Sequence, residues 1–266
     1  MPKIRVNGVE LYYEDTEKKD EIIVFSHGLL FSCRMFDDQV NYFKSRYRCI
    51  AYDHRGHGQS EVAKDGYDME TIYADGVALI DALKLPLVNF VGLSMGGFVG
   101  MRIGARRPDL LKSLILVETS ADPEPTENLS RYRLLQFIGR WFGPKYIVSG
   151  AVKILFGQKS LTDPAYADKL TLWKQRLGAN HPVGASKAAS GVLTRKSIYE
   201  EIAKITAPTL VMVGDRDVAT VPAKAERIHQ QIKGSQLLTI PGAGHSSSVE
   251  APDLVNKAID DFLTSL

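Results

Sequence analysis

The amino-acid sequence predicts an α/β fold built on a mostly parallel β-sheet. Short, continuous apolar runs, typical of strands covered on both faces, alternate with stretches whose apolar residues recur at helical spacing. Strands that alternate with helices pair in parallel through right-handed crossovers, and this rule assigns the class. The buried runs are at 22–25, 47–53, 87–93, 111–117, 209–213 and 236–240.

Local signals place the elements between these runs. Two strand-like runs flank Asn7-Gly8, which favours a tight hairpin turn because both residues tolerate positive φ. Apolar spacing between 36 and 43 predicts a helix, and Pro86 ends the helix that the spacing predicts over 69–85. Further helices are predicted at 95–106, 223–232 and 251–263.

The alternation breaks between residues 121 and 206. This segment lacks strand signals and contains helical stretches rich in Trp, Phe, Leu and Tyr. We interpret it as a helical cap inserted over the C-terminal ends of the strands. The predicted organisation is therefore an α/β core of residues 1–120 and 207–266 with a cap of residues 121–206, which suits a chain of 266 residues better than two independent domains.

The composition is that of an ordinary globular protein, with 44% hydrophobic and 24% charged residues. A net charge of +2 gives no electrostatic reason to expect nucleic acid or a membrane surface as a partner. Cys33 and Cys49 are too few for a disulfide framework, so we expect reduced thiols. The N-terminus lacks the apolar stretch of a signal peptide, and no apolar run approaches roughly 20 residues, so we expect a cytoplasmic protein.

The sharpest motif is Gly92-Leu93-Ser94-Met95-Gly96, directly after a predicted strand and directly before a predicted helix. A serine on so tight a turn needs neighbours without bulky side chains two positions away, and the two glycines satisfy this need. The turn would expose the Ser94 hydroxyl above the sheet edge and leave the N–H of Met95 free to bind an oxyanion. Ser94 is therefore the candidate nucleophile.

A serine hydroxyl needs a base to remove its proton, and His245 is the candidate. It lies in the loop after the last predicted strand, where its ring can reach across the strand ends. Asp217 is the candidate acid that orients the imidazole, because Ser94, Asp217 and His245 follow the chain order expected on an α/β sheet. Asp215, two residues earlier, and Glu118, at the end of another predicted strand, are the alternative acids.

The second oxyanion donor is assigned to the loop after the first buried run. Gly28 would turn the chain there and aim the N–H of Leu29 at the space above Ser94. Leu29 and Met95 are thus the two predicted backbone donors.

No metal site is predicted. His54 and His57 lie close in sequence, but no third histidine or acid falls at a spacing typical of catalytic zinc. In the same turn, we expect Asp53 and Arg55 to form a charge-assisted pair.

Together these motifs resemble the α/β-hydrolase superfamily across nearly the whole chain. In chain order they are His27-Gly28, the turn Asp53–Ser60, the turn at Ser94, Gly214–Asp217 and Gly244-His245. The resemblance implies an eight-stranded, mostly parallel sheet flanked by helices, an inserted helical cap and no required cofactor. The region 205–252 is most similar to the carboxylesterase and enol-lactonase branch.

The expected partner is a small or medium, largely apolar ester or lactone, hydrolysed through a Ser-His-Asp triad and an acyl-enzyme. Enol-lactonase, carbon–carbon bond hydrolase and cofactor-free perhydrolase chemistries share this triad and stay open, as does a ligand receptor on a hydrolase scaffold. The oligomeric state is also open. Apolar side chains of the Leu29 loop and the cap are the predicted pocket walls. They are Leu29 itself with Phe31, Phe36, Trp141, Phe142 and Trp173.

Overall fold

In the computed structural model, which describes residues 2–16 and 18–266, eight strands form one sheet in the order β1-β2-β4-β3-β5-β6-β7-β8. The strands are β1 (Lys3–Val6), β2 (Val9–Asp15), β3 (Ile22–Ser26), β4 (Arg48–Tyr52), β5 (Val88–Leu93), β6 (Leu111–Val117), β7 (Thr209–Gly214) and β8 (Gln236–Ile240). β2 pairs antiparallel with both β1 and β4, and the other neighbouring pairs are parallel. The predicted α/β fold with a mostly parallel eight-stranded sheet is confirmed.

β1 and β2 form the predicted hairpin. The turn residues Asn7 and Gly8 have φ angles of 45° and 76°, and Val6 pairs with Val9 across the turn. A two-residue turn of this kind needs residues that tolerate positive φ. The dipeptide therefore sets the register of the hairpin.

Helices cover both faces of the sheet. Alternate residues of β3 belong to opposite sides of the core: Val24 packs in a cluster with residues from α2, α3 and α9, whereas Ile23 and Phe25 pack with residues from α1 and α11. This burial on both faces is why the strand sequence is continuously apolar. Within the described ranges, no helix combines the length and the hydropathy that a membrane-spanning helix requires. The helices are α1 (Asp37–Phe43), α2 (Met69–Ala82), α3 (Met95–Arg106), α4 (Thr126–Trp141), α5 (Val148–Leu155), α6 (Gln158–Thr162), α7 (Ala167–Gly178), α8 (Pro182–Leu193), α9 (Pro222–Gln231), α10 (Ser247–Glu250) and α11 (Pro252–Thr264).

Residues 121–206, here called the cap segment, contain α4 to α8 and no strand, and the structure describes all of them. β6 ends at Val117, β7 begins at Thr209, and these two strands are parallel neighbours in the sheet. The segment is thus a long helical connection between adjacent strands, as the break in the alternation predicts. Its separation from the core as a domain at those boundaries stays a prediction.

The turn after β4 is stabilised by contacts other than those predicted. Asp53 accepts hydrogen bonds from the backbone N–H groups of Cys33 and Gln59, each at 2.7 Å. Arg55 instead forms a buried, two-point ion pair with Asp75 of α2, with both N–O distances at 2.5 Å. The predicted pair between Asp53 and Arg55 is wrong because the partner of Arg55 lies 20 residues away in sequence, where no local spacing points to it.

Replacing Arg55 by Ala should destabilise the fold strongly, because it leaves Asp75 buried without its counter-charge. We expect the free energy of unfolding, measured by chemical denaturation, to fall by about 3–5 kcal/mol. The control is Lys112→Ala, which removes an exposed ion pair with Glu21 and should cost at most about 1 kcal/mol. Equal losses in the two variants would contradict a special role for the buried pair.

Candidate active site

Ser94 occupies the turn between β5 and α3, in a left-handed conformation with φ at 51°. A Cβ atom on Gly96 would lie 1.9 Å from the carbonyl oxygen of Ser26, and one on Gly92 would lie 2.3 Å from the carbonyl oxygen of Gly96. Neither position therefore admits a side chain. The serine stands directly beyond the C-terminal end of β5.

Hydrogen bonds from the residues around the end of β6 hold this turn. The N–H of Ser94 donates to the carbonyl oxygen of Val117 at 2.9 Å, and the hydroxyl of Thr119 donates to the carbonyl oxygen of Ser94 at 2.9 Å. A non-glycine residue held in the left-handed region costs on the order of 1–3 kcal/mol. The conformation persists because the surrounding packing and these bonds leave Ser94 no relaxed alternative.

The imidazole of His245 lies between Ser94 and Asp217. Its Nε2 is 2.9 Å from Ser94 Oγ, and its Nδ1 is 2.8 Å from Asp217 Oδ2. A carboxylate accepts a hydrogen bond, so Nδ1 carries the proton and Nε2 is left to accept one from the serine hydroxyl. The structure thus brings the predicted nucleophile, base and acid into one hydrogen-bonded line.

Asp217 is held in its ionised form by its surroundings. Its Oδ1 accepts from the N–H groups of Ala219 at 2.8 Å and Thr220 at 2.9 Å, and its Oδ2 accepts from the Thr220 hydroxyl at 2.7 Å. Burial would raise the pKa of Asp217, but the adjacent His245 and these hydrogen bonds outweigh it and lower the pKa below its ordinary value. Sequence reasoning missed Thr220. The Asp-x-x-Thr spacing, typical of a carboxylate that accepts from backbone two and three residues on, is the signal that could have found it.

The two alternative acids make other contacts. Asp215 accepts a backbone N–H from the loop after β8 at 2.7 Å. Glu118 is fully buried, and its Oε2 accepts the N–H of Ser247 at 3.3 Å, while Oε1 has no hydrogen-bond partner in the part of the chain that is described. Burial, together with the charge of nearby Asp217, raises the pKa of Glu118 well above its ordinary value. The pKa values of two neighbouring carboxyl groups are therefore shifted in opposite directions.

The predicted oxyanion donors lie on either side of the serine. Gly28 packs so closely that a Cβ atom there would be 3.4 Å from Ser94 Cβ, which brings the backbone of the adjacent Leu29 to the nucleophile. Among the described residues, neither the N–H of Leu29 nor that of Met95 has a hydrogen-bond acceptor. Both groups can therefore bind an oxygen atom of a ligand.

A cavity of about 160 Å³ opens over Ser94 and His245. Its walls are mostly apolar and come from the loop after β3, from α3 and from the cap segment. A cavity of roughly this size can hold a benzene-sized apolar group. The lining includes Leu29, Leu30, Phe31, Leu93, Phe98, Tyr132, Leu135, Gln136, Gly139, Ile147, Ala151, Ile154, Leu155, Ala185, Ala189, Val192 and Leu193.

Of the predicted wall residues, Leu29 and Phe31 line this cavity. Phe36 is buried in the core, and Trp173 packs against Phe31 with ring centres 5.3 Å apart and the ring planes tilted by 60°. Trp141 and Phe142 are exposed on the outer surface of the cap segment. For these four residues the prediction of a wall position is wrong.

The helical period of α4 explains the error for Trp141. Successive residues of a helix are rotated by about 100°, so the cavity-facing positions Leu135, Gln136 and Gly139 are on the side opposite Trp141. Sequence composition identified the aromatic residues of this helix but not which face of it turns inward. Both faces of α4 are apolar, which removes the usual signal.

Sequence reasoning missed the polar side chains of the cavity wall, which are Glu124, Tyr132, Gln136, Ser186, Arg195 and Thr220. Arg195 is buried and pairs with Glu124 at 2.8 Å, and its Nε donates to the carbonyl oxygen of Asp122 at 3.0 Å. The positive charge of Arg195 is thus already balanced by a buried carboxylate, and nothing in the sequence around either residue indicates the pair.

His27, His54 and His57 are buried together, with the ring of His27 4.6 Å from that of His54 and 5.1 Å from that of His57. His27 Nε2 accepts the backbone N–H of His54 at 3.0 Å, and His57 Nε2 accepts that of Leu30 at 3.3 Å. Burial lowers the pKa of His54 to about 3 and that of His57 to about 4, so both rings are neutral. Across the described ranges, no group of three His, Cys, Asp or Glu side chains is placed to hold a metal ion.

The chain is similar to known proteins over nearly its whole length. Residues 21–252 match the family model described as alpha/beta hydrolase fold. The 3-oxoadipate enol-lactonase 2 of Acinetobacter baylyi is 27% identical over 249 residues, which cover 90% of this chain and 86% of that protein. A thermophilic esterase from Thermogutta terrifontis superposes with a TM-score of 0.92 at 28% identity, over 100% of this chain and 99% of that one. The enol-lactonase from Burkholderia xenovorans LB400 also gives a TM-score of 0.92 at 28% identity, over 99% of this chain and 100% of that one. The predicted resemblance to the α/β-hydrolase superfamily, and to its carboxylesterase and enol-lactonase branch, is confirmed.

The protonation of Glu118 should be visible in the pH dependence of stability. Between the ordinary pKa of about 4.3 in the unfolded chain and the raised pKa in the folded protein, only the folded protein keeps this proton. Over that interval the free energy of unfolding falls by up to about 1.4 kcal/mol per pH unit from this group alone. Glu118→Gln does not titrate and avoids that loss. We therefore expect the stability of the variant relative to wild type to rise as the pH is raised above about 4.3, as measured by chemical denaturation at several pH values. A difference that is constant with pH would contradict the raised pKa.

Proposed function

Because the chain belongs to the α/β-hydrolase family, we propose that it is a serine hydrolase that cleaves a small or medium, largely apolar carboxylic ester or lactone. The observation that carries this proposal is the hydrogen-bonded line from Ser94 through His245 to Asp217 at the floor of an apolar cavity. A serine, an oriented imidazole and a buried carboxylate in this order are the parts that acyl transfer requires.

In the first half of the reaction, Ser94 Oγ attacks the substrate carbonyl while His245 Nε2 takes the hydroxyl proton. The carbonyl oxygen becomes an oxyanion that the N–H groups of Leu29 and Met95 stabilise. Asp217 holds the Nδ1 proton and stabilises the imidazolium without taking that proton. His245 then returns its proton to the leaving alkoxide as the carbon–oxygen bond breaks, leaving an acyl group on Ser94.

The second half reverses these roles with water. His245 removes a proton from a water molecule, whose oxygen attacks the acyl carbon and forms a second oxyanion in the same backbone site. Collapse of this intermediate breaks the bond to Ser94 Oγ, which recovers its proton from His245. The products are a carboxylic acid and an alcohol, or a hydroxy or oxo acid where the substrate is a lactone.

The cavity supports an uncharged or weakly polar substrate over an anionic one. Its lining is mostly apolar, and the cation in its wall, Arg195, is paired with Glu124. An anionic ligand would have to compete with that carboxylate for the guanidinium. Enol-lactone hydrolysis is the second candidate, favoured by the similarity to two enol-lactonases.

Replacing Ser94 by Ala should reduce steady-state hydrolysis of p-nitrophenyl esters by about 10⁵–10⁶-fold, because the nucleophile is lost. The acyl length should be varied, since the cavity of about 160 Å³ favours short and medium chains. Circular dichroism checks that the variant folds. Retained turnover would exclude Ser94 as nucleophile. A folded wild type that completes only one turnover would favour a ligand receptor over an enzyme.

Replacing Asp217 by Asn should lower kcat by about 10³–10⁴-fold, because the amide cannot hold the imidazole in the required tautomer or stabilise its charge. Asp215→Asn is the matched control, since Asp215 lies two residues away and bonds a backbone N–H instead of His245. It should keep kcat within a few-fold of wild type. Equal effects of the two substitutions on kcat would contradict the assignment of Asp217.

A further inference from the structure

The outer face of α4 carries an exposed apolar strip. Leu134, Phe137 and Trp141 follow one another at three- and four-residue spacing and are 60%, 55% and 67% exposed. Phe142 and Tyr146, just beyond the helix, extend the strip at 64% and 65% exposure. These five residues are here called the cap face. A cluster of large exposed apolar side chains on one face typically marks a surface that binds a partner or a membrane.

Packing within this chain does not account for the cap face. The inward side of α4, with Tyr132, Leu135, Gln136 and Gly139, already lines the cavity. The helix therefore separates the candidate active site from the cap face, with apolar residues on both of its sides. One side is used by the cavity, and the other needs a different partner.

The charge around the cap face is strongly one-sided. Residues 128–162 contain no Asp or Glu, although the whole chain has a net charge of only +2. By helical rotation, Arg133 and Arg140 flank the apolar strip of α4 on one edge and Arg131 flanks it on the other. The cations of the segment are Arg131, Arg133, Arg140, Lys145, Lys153 and Lys159.

Cations and aromatic rings also touch within the cap face. The guanidinium carbon of Arg140 is 4.9 Å from the ring centre of Trp141, and Lys145 Nζ is 5.1 Å from that of Tyr146. Exposed Trp, Tyr, Phe and Leu beside Lys and Arg are the residue types found where helices lie at the boundary between water and lipid.

We propose that the cap face docks on an anionic lipid surface, with the aromatic side chains at the headgroup boundary and the arginines and lysines over the anionic headgroups. A second copy of the chain is the less suitable partner, because its own cationic rim would meet this one. The expectation of no membrane partner rested on the overall charge, which hides this local concentration. Docking needs no catalytic residue, so it holds or fails independently of the proposed function.

The test uses the full chain and vesicles of two compositions. One is pure phosphatidylcholine, and the other is equimolar phosphatidylcholine and phosphatidylglycerol. Trp141 is a built-in probe, because the second tryptophan, Trp173, is only 4% exposed. We expect co-sedimentation with the anionic vesicles only, a blue shift of the tryptophan emission, and loss of both when salt is raised to about 0.5 M. Ser94→Ala should bind as wild type does.

Matched variants locate the surface. Arg133→Gln combined with Lys145→Gln should weaken partitioning about 25-fold, at about fivefold per charge. The control, Lys84→Gln with Lys233→Gln, removes two exposed cations outside the cap segment and should leave binding unchanged. Phe137→Ser should reduce co-sedimentation with the anionic vesicles. Leu254→Ser, at an exposed apolar residue outside the cap face, should not.

Three results would overturn the proposal. They are no binding to anionic vesicles, equal binding to both vesicle types, and equal effects of the cap-face variants and their controls. A dimer in analytical ultracentrifugation that Phe137→Ser converts to a monomer would also overturn it, because the cap face would then be a dimer interface.

Glu250 carries a second, separate observation. Its carboxylate links the cap segment to the loop after β8 that carries His245. Its Oε2 accepts from the N–H of Gly157 and the hydroxyl of Ser160, each at 2.7 Å. Its Oε1 accepts from the N–H groups of Gly244 at 2.9 Å and Ser246 at 3.3 Å, which flank the candidate base. A Cβ atom on Gly244 would lie 2.2 Å from the nitrogen of Gly157, so the two backbones are in direct contact.

We infer that Glu250 is a positioning residue, which fixes the loop of His245 against the cap segment and so aligns the ring with Ser94. This inference rests on the proposed function. Glu250→Gln keeps the shape of the side chain but turns one acceptor into an N–H₂ donor that faces backbone donors. Since His245 is displaced rather than removed, kcat should fall about 10-fold or more.

The KM for a short p-nitrophenyl ester should stay unchanged in Glu250→Gln, because the cavity walls are intact. Glu201→Gln is the control, at a partly exposed acid that pairs with Arg106, and it should leave kcat unchanged. The inference is overturned if the kcat of Glu250→Gln equals that of wild type. It is also overturned if kcat falls by no more than the fraction of folded protein that circular dichroism shows to be lost. Turnover retained in Ser94→Ala would instead overturn the proposed function.

Discussion

Ser94 holds a left-handed backbone conformation that its side chain disfavours, and the arrangement of the site depends on it. Gly92 and Gly96 approach other backbone atoms so closely that a side chain on either would overlap them. Bonds to Val117 and from Thr119 tie the turn to the next strand. Because β5 is a central strand of a parallel sheet, the hydroxyl stands where the loops after β3, β7 and β8 converge. The fold thus supplies the energy that holds the serine in place.

Burial then separates the roles of two neighbouring carboxyl groups. Asp217 and Glu118 both follow strand ends in the same part of the core. Asp217 has the imidazole and three hydrogen-bond donors, which offset the cost of burying a charge. Glu118 accepts a longer hydrogen bond, at 3.3 Å, from the N–H of Ser247, and the charge of Asp217 disfavours its ionised form. Burial raises the pKa of Glu118, whereas the hydrogen bonds and the imidazole at Asp217 outweigh burial and lower its pKa.

The features that were predictable from sequence are those with a local physical cause. Strands that are buried on both faces have continuous apolar sequences, and the turn at Ser94 needs glycines two positions before and after it. The sequence therefore predicts both features. The partners of Arg55 and Arg195 were not, because Asp75 and Glu124 are distant in sequence and ion pairs leave no periodic signal. The inner face of α4 was also missed, since Trp141 and Leu135 are equally apolar. The overall net charge concealed the cations between 128 and 162.

Covalent labelling of the nucleophile tests the central claim most directly. A p-nitrophenyl alkylphosphonate places a phosphorus atom where the substrate carbonyl carbon would be, and an activated serine attacks it to give a stable phosphonyl ester. Mass spectrometry of the digested protein should find a single phosphonyl group, on the peptide that contains Ser94, and His245→Ala should slow its formation strongly. A label on another residue, or sustained ester hydrolysis by a protein that takes up no label, would contradict the account.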